Sequence, residues 1–238
     1  MAPSSKLVDS SSDSSPSRAR RPCRAAPAGS IIDLRQLLAE RFPQSFAAGS
    51  DRLRTGLSAI DAAIGGLPKN AVTELTSPNL SAGSAFLIHV LLRRAHRAGF
   101  FLALIDGSDS FDPQPAGQAL RNLLWVRCHQ AADAVQAADL LLRDGNFPLV
   151  VLDLVLNASD ELRRIPQTHW YRLQRLVEAA PTAFLVLTRR NMIGSAQLKL
   201  SLVNTWRLTD LDQPDLTARL NIQVERVHGP REILATAG

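Results

Sequence analysis

The most constraining feature of this 238-residue chain is a regular alternation of short apolar segments with longer amphipathic ones. Five short, mostly apolar segments are predicted to be strands: Val72 to Leu75, Phe100 to Ile105, Leu123 to Val126, Leu149 to Asp153 and Ala183 to Leu187. The run from Leu149 to Asp153 is typical of a strand buried on both faces. Helices are predicted between them, at Ser84 to Ala98, Pro115 to Asn122, Ala131 to Arg143 and Pro166 to Ala179. Because alternating strands and helices build a mostly parallel sheet flanked by helices, the sequence predicts an α/β fold.

The C-terminal part has a different pattern. Apolar and polar side chains alternate over Leu198 to Leu208 and over Leu216 to Val224, as they do in half-buried strands. Gly229-Pro230 predicts a turn before a last apolar pair, Ile233-Leu234. We therefore expect antiparallel strands at the C-terminal edge of the sheet.

The first 30 residues differ in composition from the rest. They are rich in Ser, Pro and Arg, and five basic residues outnumber two acidic ones, in a chain whose net charge is +5. Such a segment has little to bury, so residues 1–30 are predicted to be a disordered basic tail, either simply solvated or weakly attracted to phosphate backbones. A helix capped by Asp33, followed by a linker, is predicted for residues 31–50. The folded domain is predicted to comprise residues 51–238.

Several classes of protein do not fit this sequence. Its apolar runs are too short or too interrupted by charge to span a bilayer, and the N-terminus has no apolar signal core, so a cytoplasmic protein without membrane contact is expected. The two cysteines and five histidines have no metal-ligand spacing, and no Ser/His/Asp pattern predicts a hydrolase nucleophile. We expect neither a metal site nor nucleophilic catalysis.

The segment from Glu74 to Phe86 has the outline of a strand that turns through a phosphate-binding loop into a helix. A working loop reads G-x-x-x-x-G-K-[ST], in which the glycines let backbone N–H groups surround the phosphates and the lysine reaches the outer two. Here Ser77 stands at the first glycine, Gly83 at the lysine, and Ser84 keeps the hydroxyl position. The pattern predicts a degenerate loop.

The degenerate loop comprises Ser77, Pro78, Ser81, Gly83 and Ser84. Without a lysine to offset phosphate charge, ordinary ATP hydrolysis is not expected. The helix N-terminus near Ser81 to Ser84 would still offer N–H groups to an anion, so residual nucleotide binding stays open while no cofactor is expected.

Ordered landmarks on both sides of the loop resemble the RecA-like recombinase family. They are Thr55 to Asp61, Gly65 to Lys69, Val72 to Leu75 and, after the loop, Ile105 to Pro113. In that family the segment after the next strand carries a glutamate that activates water, and Ser108 stands at its place. Leu149 to Asp153 is similar to the strand that ends in the magnesium-holding aspartate. The resemblance implies a RecA-like core that has lost its hydrolytic residues, a pseudo-ATPase.

Among RecA relatives, the chain most resembles the ImuA family, accessory proteins of a bacterial mutagenic DNA-repair cassette. The segments that carry this resemblance are Leu34 to Pro43, Leu123 to Arg127, Arg189-Arg190 and Ser195 to Leu200. It implies a role in translesion synthesis during the SOS response to DNA damage. The implied partners are a Y-family polymerase homologue, the replicative-type mutagenic polymerase and RecA itself.

Some residue roles remain open in the sequence. Asp153 could help to hold magnesium or accept hydrogen bonds from neighbouring loop N–H groups. Asp109 could compensate for the glutamate lost at the preceding position through a shift in register. Arg189, Arg190 and Lys199 could contact DNA phosphates or a partner, or the arginines could merely solvate a loop.

The leading hypothesis is a non-catalytic adaptor in damage-induced mutagenesis. The alternatives are an active DNA-dependent ATPase of the recombinase type and a cell-division inhibitor similar to SulA.

Overall fold

The computed structural model describes residues 51–211 and 215–227. The tail predicted at 1–30, the helix and linker predicted at 31–50 and the strand predicted at Ile233-Leu234 lie outside the described residues. The described part of the chain contains no helix long and apolar enough to cross a membrane.

The described strands are, in chain order, β1 (Arg52–Leu53), β2 (Leu67–Pro68), β3 (Ala71–Thr76), β4 (Leu102–Asp106), β5 (Leu123–Arg127), β6 (Leu149–Asp153), β7 (Ala183–Thr188), β8 (Leu198–Leu202) and β9 (Ile222–Val227). The α-helices are α1 (Ser58–Ile64), α2 (Ser84–Ala98), α3 (Ala131–Asp144), α4 (Ser159–Arg163), α5 (Gln167–Glu178) and α6 (Leu208–Leu211). Two segments are 3₁₀-helical, Leu80–Ala82 and Gln114–Asn122.

Seven of these strands form one sheet in the order β5-β4-β6-β7-β3-β8-β9. All neighbours are parallel except β9, which runs antiparallel to β8. The sheet is thus the predicted mostly parallel one with an antiparallel edge, and the RecA-like α/β fold class is confirmed. The carboxyl ends of the parallel strands meet at one edge, where α/β folds place their binding loops.

Helices cover both faces of the sheet because alternate residues of each buried strand face opposite ways. In β6, Leu149 and Val151 pack in the cluster that contains α1, α2 and the Gln114–Asn122 segment. Val150 and Leu152 pack in the second cluster, with α3, α4 and α5. This double burial explains why segments such as Leu149 to Leu152 are apolar at every position, whereas β3 also buries Thr73 and Glu74.

Two predictions for the C-terminal part need correction. The strand predicted over Leu198 to Leu208 ends at Leu202. It is antiparallel to β9, as predicted, and it also pairs in parallel with β3. The strand predicted over Leu216 to Val224 begins only at Ile222, because residues 215–219 form turns. Alternating apolar and polar side chains occur in half-buried backbone of any kind, so this pattern did not distinguish a strand from the turns at 215–219 or from helix α6.

The structure also contains short helices that the sequence did not predict, among them α1 and α4. The helix predicted at Pro115 to Asn122 is present as a 3₁₀-helix with a break at Gly117. Helices this short owe their stability to tertiary packing more than to local propensity, so sequence patterns detect them poorly.

Candidate functional site

The degenerate loop has the predicted strand-loop-helix geometry. Strand β3 ends at Thr76, and Ser77 is fully buried, its N–H donating to the Thr188 carbonyl of β7 at 2.7 Å. The Ser77 hydroxyl donates to the Asn79 carbonyl at 3.2 Å, which tightens the turn. A short 3₁₀ turn follows, and α2 begins at Ser84, which is buried. The loop therefore lies at the carboxyl edge of the sheet.

The position expected to hold the lysine is closed by a distant segment of the chain. Gly83 has φ +98°, in the left-handed region that favours glycine. A Cβ placed there would lie 3.3 Å from Leu220 Cδ2 and 3.6 Å from the Trp206 ring. The backbone N–H of Trp206 donates to the Ser81 carbonyl at 3.0 Å. The Trp206 ring contacts the Phe86 ring, with the two centroids 5.6 Å apart. A lysine at this position would be strained in its backbone and would point its side chain into packed apolar groups.

Two carboxylates lie side by side at the ends of adjacent strands. Asp106 of β4 and Asp153 of β6 are partners in the parallel register. Burial raises the pKa of Asp153 to about 6, against the lowering effect of the hydrogen bond from the Val155 N–H, and Asp106 raises it further. A carboxylate with this pKa is poorly compensated by its surroundings, because no cation of the described residues forms an ion pair with it.

Asp106 is in contrast almost saturated with donors. Its carboxylate accepts hydrogen bonds from the Phe111 N–H at 2.8 Å, from the Ser108 N–H at 3.4 Å and from the Trp125 indole at 3.4 Å. Asp106 therefore organises the loop after β4, and sequence patterns did not single it out. The described residues contain no group of three His, Cys, Asp or Glu side chains that could hold a metal ion.

Glu74 is a second buried acid that sequence reasoning missed. It lies in the middle of β3 with no exposed surface, and its Oε1 accepts hydrogen bonds from the N–H groups of Met192 at 2.7 Å and Ile193 at 3.1 Å. The Lys199 ammonium lies 2.9 Å from Oε2, a contact that acts as an ion pair and not as an aligned hydrogen bond. Glu74 thus anchors the segment between β7 and β8 to the centre of the sheet. A charged residue within an apolar strand was the available signal.

The comparisons with known proteins agree with this architecture. The family model described as the RecA N-terminal domain matches residues 28–163, more than half of the chain. The chain belongs to the RecA family. Among its relatives, Protein RecA of Frankia alni is 36% identical over 106 residues, 42% of this chain and 30% of the relative. Protein RecA of Acidothermus cellulolyticus is 36% identical over 120 residues, 48% of this chain and 34% of the relative.

A third relative extends the match slightly. Protein RecA of Mycobacteroides abscessus is 33% identical over 137 residues, 50% of this chain and 39% of the relative. The chain therefore spans about a third of the length of the curated relatives it matches. Membership of the RecA family rests on the match to the RecA N-terminal domain. The activities of whole RecA proteins are considered for this chain only as proposals.

The loop that would carry the RecA family's water-activating glutamate is closed onto β6. At Ser108, the hydroxyl donates to Ser110 at 3.1 Å. The neighbouring Asp109 forms a bidentate ion pair with Arg127 of β5 at 2.6 and 2.7 Å, and this pairing lowers the Asp109 pKa. Asp109 is therefore engaged at the β5 side of the sheet, which disfavours the predicted compensation by a shift in register.

Gly107 makes the closest approach between this loop and β6. Its N–H donates to the Asp153 carbonyl at 2.9 Å, and its own carbonyl accepts from Asn157 Nδ2 at 2.8 Å. A Cβ at Gly107 would lie only 2.7 Å from the Asp153 carbonyl oxygen and 2.5 Å from Asn157 Oδ1. Glycine is required here for contact with a neighbouring backbone, a role that the sequence alone did not reveal.

The predicted contact residues divide into two groups. Arg189 and Arg190 are exposed and directly follow β7. They lie beside the degenerate loop, because the Ser77 N–H at the start of that loop donates to the carbonyl of Thr188, the last residue of β7. Lys199 is paired with buried Glu74 and exposes only 13% of its side chain. The two arginines are available to DNA or a partner at this edge, and contact with either stays a prediction, whereas Lys199 has a role within the fold.

Proposed function

We propose that this protein is a non-catalytic RecA-like adaptor in damage-induced mutagenesis. It supports translesion DNA synthesis in the cytoplasm by binding a Y-family polymerase homologue, RecA and the replicative-type mutagenic polymerase. It needs no cofactor and does not turn over ATP. This role keeps the shape and surfaces of the RecA core without its chemistry.

The observation that carries the proposal is the closed lysine position. Phosphoryl transfer depends on positioned positive charge around the phosphates. In this chain Gly83 takes a left-handed conformation, and Trp206 and Leu220 occupy the space into which a side chain there would extend. Gly83 in place of the lysine is therefore accompanied by apolar packing that a lysine would disrupt. This packing supports a structural role for the loop instead of phosphate binding.

Co-purification tests the adaptor role. The tagged full chain, mixed at low salt with the polymerase homologue and separately with RecA, should retain each of them. The variant Arg189→Glu with Arg190→Glu tests whether the exposed edge contributes. The matched control is Arg164→Glu with Arg175→Glu, two exposed positions directly after α4 and on α5. Retention of neither partner by the unmodified chain would exclude the adaptor role.

A second candidate function is DNA-dependent ATP hydrolysis. The pair of carboxylates at the ends of β4 and β6 favours it, because Asp153 stands where the RecA resemblance places the magnesium-holding aspartate. DNA-stimulated ATP turnover that disappears in Asp153→Ala would establish this activity and contradict the pseudo-ATPase assignment. Turnover that persists in Asp153→Ala would indicate a contaminating enzyme.

A further inference from the structure

A cavity of about 410 Å³ lies beside the C-terminal half of α2, away from the degenerate loop. Four arginines line it: Arg54 from the segment before α1, and Arg93, Arg94 and Arg97 from α2. Since an α-helix rises about 1.5 Å per residue, Arg94 lies roughly 16 Å along the α2 axis from Gly83. The cavity is therefore centred away from the loop, although the Arg93 guanidinium reaches back along α2 and lies 5.9 Å from the centroid of the Phe86 ring.

The positive charge of this cavity is not neutralised within the described residues. Asp61 lies in the wall, but its carboxylate is occupied by the Thr55 N–H at 2.9 Å, the Thr55 hydroxyl at 2.8 Å and the Gly56 N–H at 2.9 Å. In residues 51–211 and 215–227, no carboxylate forms an ion pair with any of the four arginines. Four arginines and one aspartate thus line the cavity, so positive charge is in excess there.

The arginines are held in place by local contacts that leave donors free. Arg93 Nε donates to the His89 carbonyl and Arg94 Nε donates to the Arg54 carbonyl, both at 3.4 Å. The Arg94 stem also packs over Gly56, whose φ is +79°, with Cδ 3.5 Å from the position that a Cβ there would take. Each guanidinium has five N–H donors. The contacts involving Nε therefore leave the terminal nitrogens of Arg93 and Arg94 able to bind a ligand.

We propose that this cavity binds closely spaced phosphate groups, from a nucleic-acid backbone or a free polyphosphate. The planar guanidinium fork matches phosphate oxygens in bidentate geometry, and arginine is the residue of choice for such contacts. The arginines outnumber the single aspartate of the cavity wall, so their positive charges repel one another. A ligand with several negative charges relieves that repulsion. The site goes beyond the adaptor role, which requires no phosphate ligand.

The variant Arg93→Gln with Arg97→Gln tests the site and keeps both side-chain stems. Arg164→Gln with Arg175→Gln removes the same charge from exposed positions directly after α4 and on α5 and is the control. The probe is a labelled oligothymidylate, whose binding is followed by fluorescence anisotropy across salt concentrations. Four phosphate contacts predict a slope of about −2.8 in log K against log salt, and losing two predicts about −1.4 and roughly 25-fold weaker binding near 0.1 M salt.

A second probe, inorganic tripolyphosphate, distinguishes the two sources of phosphate. If the site serves free polyphosphate, tripolyphosphate raises the Tm of the unmodified protein and of the control but not of the Arg93/Arg97 variant, while the oligonucleotide does not discriminate among the three. If the site serves a nucleic-acid backbone, the oligonucleotide does discriminate. Equal responses of the arginine variant and its control to both probes would overturn the proposal.

Discussion

Replacing Asp153 with Asn should stabilise the protein at neutral and alkaline pH. In the folded state burial raises the Asp153 pKa to about 6, from an ordinary value of 3.8. A shift of about two units corresponds to about 3 kcal/mol. Because the folded state binds this proton more tightly than the unfolded chain, stability from this group is complete below pH 4 and is lost as the pH rises through 6. The neutral amide avoids that loss and still accepts the Val155 N–H.

Urea unfolding, followed by tryptophan fluorescence at pH 4 and pH 8, measures the effect. Asp153→Asn should exceed the unmodified protein by about 3 kcal/mol at pH 8 and match it near pH 4. His89, whose pKa is lowered chiefly by burial, adds a pH dependence of opposite sign, but this is common to both proteins and cancels in the difference. Exposed Asp160→Asn is the control and should change stability by less than about 0.5 kcal/mol.

Two results would refute this reasoning. An Asp153→Asn protein that is no more stable than the unmodified one at pH 8 would mean that the carboxylate is compensated in the fold. A gain of equal size at pH 4 would mean that the effect is not ionisation. Stabilisation of the unmodified protein by Mg²⁺ and ATP together, lost in Asp153→Asn, would support nucleotide binding instead of a structural aspartate.

Three further substitutions test the packing around the loop. Trp206→Ala should lower stability by about 2 kcal/mol, because the ring is only partly buried. We also expect no ATP hydrolysis by this variant, and turnover that appears only in Trp206→Ala would show that the ring alone blocks the site. Lys199→Met should lower the free energy of unfolding by about 3 kcal/mol, because it leaves buried Glu74 without its cation. Glu74→Gln keeps a hydrogen-bond acceptor and should cost less. If urea unfolding shows a larger loss for Glu74→Gln than for Lys199→Met, the proposed ion pair is contradicted. Gly107→Ala should cost about 1–3 kcal/mol in thermal unfolding, whereas Gly194→Ala, with open space around it, should cost less.

The fold was predictable where one physical signal was repeated. The central residues of β6 and β7 are buried on both faces and are therefore apolar, and only the last residue of each strand is polar. The amphipathic stripes of α2, α3 and α5 follow from packing on that sheet. Prediction failed after Leu202 because extended segments, turns and half-buried strands share the same alternation of side chains. It also missed Glu74, since hydropathy alone cannot show that one buried charge in a strand has partners waiting in a later loop.

The candidate site has the same division. The sequence alone places a strand, a tight turn and a helix between Ala71 and Ala98, and it shows that Gly83 stands where the lysine is expected. Both conclusions depend only on residues that are adjacent in the chain. The closure of that position by Trp206 and Leu220 depends on the return of the C-terminal segment over the loop, a contact between distant residues that no local period encodes. The same holds for the four arginines, since only the packing of α2 against the segment before α1 brings Arg54 to the other three.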